Sequence, residues 1–347
     1  MSAPTTSLFE PTGLRRVQQR AREVGGRSIA ITAGLFVVLS IVFIAQSGAG
    51  LYWKRLLNGV WNGSIYAAVA LALVLIFKAT GVINFAQGNM AMFGTFIAYV
   101  LSREQKWPVW LSIIVAMAIS AAGAAVIERV LIRPFDPGSH LPITIVTLAL
   151  FNVIGGLAFF IWFADPKPFP SPFPAKKADY VTIFGARVFY VNVGILLSVV
   201  VTAIGLTLLL KRTKVGLAFR AVSSNLESSR LVGVHVGRTL QFGWALAAAI
   251  GTLAGCLVVS DPKNFVDPGF MSRVLVFAFA AATIGGLDSL IGAVVGGLLV
   301  GEIQTMVGGY VSFIGSELTL GATLFVIVVV LLVKPTGLFG SRKVERV

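Results

Sequence analysis

Ten apolar runs follow one another along the chain: Ile29 to Ala45, Leu56 to Phe77, Met90 to Leu101, Val109 to Ile132, Leu141 to Phe163, Tyr190 to Leu210, Leu240 to Val259, Val274 to Ile284, Ile291 to Val307 and Leu318 to Val333. Polar residues gather between the runs instead of alternating within them. In hydrocarbon every backbone N–H and C=O must be satisfied inside a helix or a closed barrel, and barrel strands would be about half as long and alternating. The pattern therefore predicts an all-α polytopic membrane protein with about ten transmembrane helices. Met90 to Leu101 and Val274 to Ile284 are short for a full crossing, which marks them as candidate re-entrant segments.

Composition agrees: 56% of the 347 residues are hydrophobic and 12% charged, and the mean hydropathy is +0.89. Charge adds orientation, because Lys and Arg are retained on the cytoplasmic side. With the N-terminus inside and every run crossing, the inner side receives the larger share of the basic residues, from Arg15 through Lys78, Arg129, Arg133 and the 211–238 group to Arg346. Both termini are then cytoplasmic. The net charge of +14 is spread over the loops that flank apolar spans, so it speaks for topology and contact with the lipid bilayer and against nucleic-acid binding. The single cysteine, Cys256, lies inside an apolar run, leaving no intrachain disulfide and no metal-ligand spacing.

Four divisions follow. Residues 1–28 read as a basic, mostly disordered cytoplasmic tail and 29–50 as an extra N-terminal transmembrane helix. Residues 51–338 form the main membrane domain, and 339–347 a second cytoplasmic tail. The run at Ile29 exceeds the usual apolar core of a signal peptide, which favours a retained span.

Candidate chemistry sits where the apolar pattern fails. The stretch from Gly81 to Gly94 carries Asn84, Gln87 and Asn89 with Gly81 and Gly88. Irregular backbone at membrane depth must be buried in protein or line a wet cavity, so these residues either border a solute path or tie helices together by hydrogen bonds. Glu302 is an acid inside an apolar run, a second candidate for the path. Gly285, Gly286, Asp288 and Ser289 interrupt two runs, and Asp288-Ser289 can cap the helix that follows. Gly59 with Gly63, Gly251 with Gly255, and the series Gly292, Gly296, Gly297, Gly301 have the spacing that lets helices approach closely. The proline-rich stretch from Asp165 to Asp179 forbids helix and reads as an extended external cap. Between Lys211 and Thr239, apolar Leu217, Phe219, Val222, Leu226, Leu231 and Val234 interleave with Arg220, Ser224, Glu227 and Arg230, predicting a two-faced helix for the inner leaflet or for a protein groove. No GxxxxGK[ST], HExxH or GxSxG occurs, so ATP chemistry belongs to another subunit and the chain is not read as an enzyme.

Several of these features also occur together in one family. Gly63-Ser64-Ile65-Tyr66-Ala67, Gly81-Val82-Ile83-Asn84-Phe85-Ala86, Glu128-Arg129 with Arg133-Pro134, Arg220-Ala221 with Gly233-Val234, Gly285-Gly286-Leu287-Asp288-Ser289 with Gly292, and Lys334-Pro335-Thr336-Gly337-Leu338-Phe339-Gly340 resemble, in order, the LivH-type permeases of branched-chain amino-acid ABC importers. The resemblance implies a transport subunit without cofactors of its own, paired with a second related permease, two cytoplasmic ATPases and an external solute-binding protein. It implies that 211–239 is a coupling segment docking on the ATPase, with Arg220, Ala221, Ser224, Glu227 and Gly233 as contacts, and it favours the path reading for Gly81 to Gly94. The chain departs from the family where Gln87-Gly88-Asn89 replaces His-Gly-Glu, where Ser224 stands in place of an acid, and where the acid typical of the last helix falls nearer Gln304 than Glu302. The implied cargo is branched-chain or other hydrophobic amino acids, with urea and short amides as the alternative within the family. A stand-alone secondary transporter or channel is the rival class. It would require repeated halves and mid-membrane ionisable residues beyond Glu302.

Overall fold

A computed structural model describes residues 40–45, 47–135, 140–183, 185–261, 263–310, 321, 324–325, 328–329, 332 and 337–340. The tails expected over 1–28 and 341–347, and most of the runs Ile29 to Ala45 and Leu318 to Val333, lie outside the described residues. The chain divides into two units, residues 1–53 and 54–347. In the first, residues 40–45 are helical and the Tyr52 hydroxyl donates to Ser40 Oγ at 2.7 Å.

The second unit is mostly helical. Its helices are α1 (Ala49–Thr80, which begins in the first unit), α2 (Gln87–Tyr99, continuing as a π turn Val100–Glu104), α3 (Val109–Ile127, continuing as a π turn Glu128–Ile132), α4 (His140–Trp162), α5 (Tyr190–Arg212), α6 (Lys214–Ser224), α7 (Leu226–Leu231), α8 (Val236–Val259), α9 (Phe270–Gly285) and α10 (Leu290–Tyr310). Six of the described helices are long and apolar enough to cross a membrane: α1, α3 with its π turn, α4, α5, α8 and α10. The two short runs become α2, lengthened at both ends, and α9, a helix of 16 residues.

Burial separates central from peripheral spans. The apolar windows of α1 and α8 are 78% and 72% buried, against 22%, 22% and 28% for α3, α4 and α5. The core therefore runs along α1 from Tyr66 to Ile76 and along α8, and the other three offer wide apolar faces outward. Between helices in lipid the drive is close packing more than water exclusion, and the small residues supply it. A Cβ at Gly297 would sit 2.5 Å from the Ala67 backbone, and one at Gly301 would overlap the backbone of Gly59 and Gly63. Gly255 packs in the same way on Ala91 and Thr95. The small-residue spacings thus mark the α1–α10 and α2–α8 seams, and Gly292 and Gly296 the α9–α10 seam.

Two features differ from the sequence reading, and a third, in the proline-rich loop, adds to it. The fold is not purely helical: β1 (Tyr180–Ile183) and β2 (Ala186–Phe189) form an antiparallel hairpin, with Tyr180 opposite Phe189. Its alternating residues directly precede α5 and blend into that apolar run. The proline-rich loop is pinned by backbone bonds in both directions between Lys167 and Val266, each 2.9 Å. The two-faced helix of the 211–239 segment is two helices, separated at Asn225.

Candidate functional site

α1 ends at Thr80, and the chain passes through Gly81, at φ +70°, into irregular backbone before α2 begins at Gln87. That beginning lies at mid-depth. Gln87 Nε2 donates to Ala247 O at 3.0 Å, half-way along α8, and Asn89 Nδ2 donates to Phe151 O at 2.5 Å, half-way along α4. The break is local in origin: Asn84 Oδ1 accepts from Ala86 N–H at 3.0 Å, an Asx turn that competes with helix. Asn84 Nδ2 in turn faces Gln87 Oε1 at 3.4 Å. All three amides are buried, and Gly88 packs under Leu275. In this conformation the broken segment is closed by protein carbonyls, and the amides line neither the groove at Trp110 and Phe173 nor the cavity at Glu128 and Trp244.

Glu302 falls in a different seam, between α10 and α1. Its half-buried carboxylate rests on Gly59 and has no hydrogen-bond partner among the described residues. Beside it the Tyr66 hydroxyl donates to Gln304 Oε1 at 2.5 Å, and Asn62 Nδ2 reaches Thr305 Oγ1 at 3.5 Å. Two otherwise apolar spans thus share a polar strip.

The interruption at Gly285, Gly286, Asp288 and Ser289 is a tied knot. Gly286 has φ +104°, where a Cβ would also stand 2.5 Å from the Gly340 backbone nitrogen. Leu338 and Phe339 N–H donate to Ile284 and Gly285 O at 2.7 and 3.0 Å. Ser289 Oγ accepts from Gly292 N–H at 3.0 Å and caps α10, while Lys78 Nζ, at the end of α1, donates to Asp288 O at 2.9 Å. Motifs some fifty residues apart in sequence therefore form one structure at one end of the bundle.

The same end carries the 211–239 segment. Thr213 caps α6 by accepting from Gly216 N–H at 3.0 Å, and Asn225 caps α7 by accepting from Ser228 N–H at 2.8 Å. Gly216, Phe219 and Val222 are buried, whereas Arg220, Ser224, Glu227 and Gly233 are exposed and Ala221 is half-buried. α7 closes with a Schellman motif, in which Val234 N–H donates to Ser229 O at 3.0 Å and Gly233 N–H to Arg230 O at 3.1 Å, with Gly233 at φ +82°. The exposed side also bears Leu217, Leu231 and Val232, the last two 88% and 77% exposed. The surface is an apolar ridge edged with charge.

One cluster was named in the sequence without a role. The π turn, with its i→i+5 bonding, sets Arg133 beside Glu128: Nη2–Oε2 is 2.7 Å and Nε–Oε1 is 3.3 Å, although Glu128 is only 1% exposed. Arg133 also donates to Gly237 O and Gln241 Oε1, at 2.9 and 3.2 Å, and Gln241 Nε2 donates to Ala125 O at 2.9 Å. This network joins α3 to the start of α8, at the C-terminal end of the 211–239 segment. The Glu-x4-Arg spacing was visible, but on a regular helix it would point the two side chains apart.

Residues 55–333 match a protein family described as the permease component of branched-chain amino acid transport systems. The chain is 28% identical over 305 residues to the high-affinity branched-chain amino acid transport system permease protein BraD of Pseudomonas aeruginosa, covering 85% of this chain and 98% of BraD. It is 27% identical over 313 residues to the corresponding protein LivH of Escherichia coli, with the same coverage. Among solved structures, PsaBC from Streptococcus pneumoniae in complex with Fab aligns over 86% of this chain and 97% of that one, with 12% identity and a TM-score of 0.38, too remote to bear on the function.

Proposed function

The chain belongs to the permease-component family of branched-chain amino acid transport systems, and from that membership we propose that it is the membrane-spanning subunit of an ATP-driven importer of branched-chain amino acids. The observation that carries this reading is the match to BraD and LivH along 98% of their length. The subunit pairs with a second, related permease, receives its solute from an external binding protein, and rests on two ATPases. The end that holds Lys78, Arg133, Arg220, Arg230 and Arg238 faces the cytoplasm of a bacterial inner membrane, with both termini there. Residues 211–239 are the ATPase contact. Two capped helices with a buried apolar side and an exposed ridge form a rigid unit suited to a groove in another protein.

The solute path runs past the mid-depth start of α2, bordered by Asn84, Gln87, Asn89, Gly81 and Gly88, with Glu302 on the α1–α10 seam. The positive end of a helix dipole and a set of amides suit the carboxylate of a zwitterion without a buried cation. Opening the path requires exchanging the Gln87–Ala247 and Asn89–Phe151 bonds for bonds to water or solute. ATP binding moves the 211–239 unit, and the Glu128–Arg133–Gln241 network carries that motion to α3 and α8, which pack against α2. Such coupling needs two discrete arrangements of packed elements.

The test is single-cysteine labelling in a Cys256→Ser background. A small water-soluble thiol reagent should label cysteines at 87 and 89 at a rate that changes with ATP in the assembled complex. Full protection in every state, with normal uptake by a Gln87→Leu, Asn89→Leu variant, would make these amides interhelical ties and place the path elsewhere.

A further inference from the structure

The seam between α1 and α10 holds an acid without a partner. Glu302 lies where α1 passes at Gly59, and a Cβ there would stand 2.5 Å from one carboxylate oxygen and 2.8 Å from the other, so the glycine opens the notch that seats the acid. The half-buried carboxylate has no hydrogen bond or ion pair among the described residues. Its polar neighbours bond elsewhere: the Tyr66 hydroxyl donates to Gln304 and the Asn62 NH2 to Thr305. The Arg55 guanidinium, one turn from Gly59 along α1, lies over the Tyr310 ring, 4.1 Å from its centroid. Open acceptors remain in both Glu302 oxygens and in Asn62 Oδ1, and because Asn62, Gln304 and Thr305 are neutral, the acid sets the charge of the strip. Gly59 stands about 30 Å along α1 from its Thr80 end, which is about the thickness of the hydrocarbon core. Glu302 is therefore at the mouth of the bundle opposite the 211–239 segment, within reach of water.

An ionisable group in a membrane bundle marks where charge is handled. A primary ammonium carries three donors and no acceptor, the complement of these open oxygens. We propose that the Glu302 carboxylate, with Asn62 Oδ1, takes the ammonium group of the solute at the outer mouth of the seam. The inference rests on the reading of the chain as an amino-acid permease, and it gives Glu302 a charge recognition that the neutral amides of the α2 break lack. Urea and short amides, which carry no ammonium, are then disfavoured at this site.

A single thiol is placed beside the acid by Thr305→Cys in the Cys256→Ser background, since residues three apart on a helix are neighbours about 5–6 Å apart. In the assembled complex, at mildly alkaline pH, its rate of reaction is measured with a thiosulfonate that bears a primary ammonium and with one that bears a sulfonate. A unit charge at about 6 Å in water changes such a rate about threefold, in opposite directions for the two reagents. Glu302→Gln should therefore lower the cationic-to-anionic rate ratio about tenfold. Millimolar 3-methylbutylamine should slow the labelling, and 3-methylbutanoate and urea should not. This comparison needs no change at Glu302, so it decides the matter even if Glu302→Gln fails to assemble. Equal ratios with and without the acid, no labelling by either reagent, or protection by the carboxylate or by urea as strong as by the amine would each overturn the proposal. Neither readout measures transport. Normal leucine uptake by a complex that shows no charge preference would overturn this inference alone, whereas no leucine uptake by wild type would overturn the importer reading on which it rests.

Discussion

Asn84, Gln87 and Asn89 are visible in the sequence because amides are out of place in an apolar run. Their partners are not: the accepting groups on Ala247 and Phe151 are backbone carbonyls, which leave no mark in a sequence. Replacing Gln87 with Leu leaves the Ala247 carbonyl its bond in the α8 ladder but leaves the buried Asn84 amide with only Met90 Sδ, at 3.6 Å, as acceptor. The expected cost is about 1–3 kcal/mol, read as a lower apparent melting temperature in detergent, whereas an unchanged value would mean that the bond does not hold the break. Gly286 supports a similar argument on firmer ground. Alanine there faces both a left-handed backbone, worth about 1–2 kcal/mol, and the Gly340 backbone 2.5 Å from its Cβ. Gly286→Ala should lower stability or yield, and wild-type behaviour would show that the 337–340 turn is not anchored on the helix break.

At the scale of elements, the two-faced character of 211–239 was legible from its periodicity, but its division was not. Asn225 with Ser228 is a capping signal inside that pattern, and it was absorbed into one helix. Leu217 and Leu231 have the spacing of the buried face and are exposed, because α6 packs through Gly216, Phe219 and Val222, and α7 through Ser229 with Leu226 half-buried. The hairpin at 180–189 was hidden for the opposite reason, since its apolar alternation merges with the run that follows. Removing the Asn225 cap by Asn225→Ala should cost about 1 kcal/mol and loosen the α6–α7 unit, reducing recovery of the ATPase with the permease while the chain still inserts. Gly233→Trp acts on the same unit through its backbone: a Cβ there would meet nothing within 4 Å, but its φ of +82° penalises any side chain. It should uncouple ATPase stimulation from uptake or block assembly. Wild-type uptake and ATPase recovery in both variants would place the contact surface elsewhere.

For the molecule as a whole, the membrane class was legible from ten runs, and the family from motifs whose order could be read before their geometry was known. Gly285 to Ser289 and Gly337 to Gly340 were separate marks in the sequence, and the fold makes them one knot. What the sequence could not supply was depth. Only packing reveals that α2 starts half-way along its neighbours, and that Glu302 belongs to a different seam from the amides. As proposed above, this subunit moves branched-chain amino acids with energy that partner ATPases supply. The most direct test is uptake of labelled leucine, isoleucine or valine into vesicles in which the chain is reconstituted with its paired permease, its ATPases and its binding protein. Uptake should require all of these and ATP, and should stop when the ATPases are omitted. Uptake by the chain alone under an ion gradient, or hydrolysis of ATP by the purified chain that a mutation within it abolishes, would contradict the account.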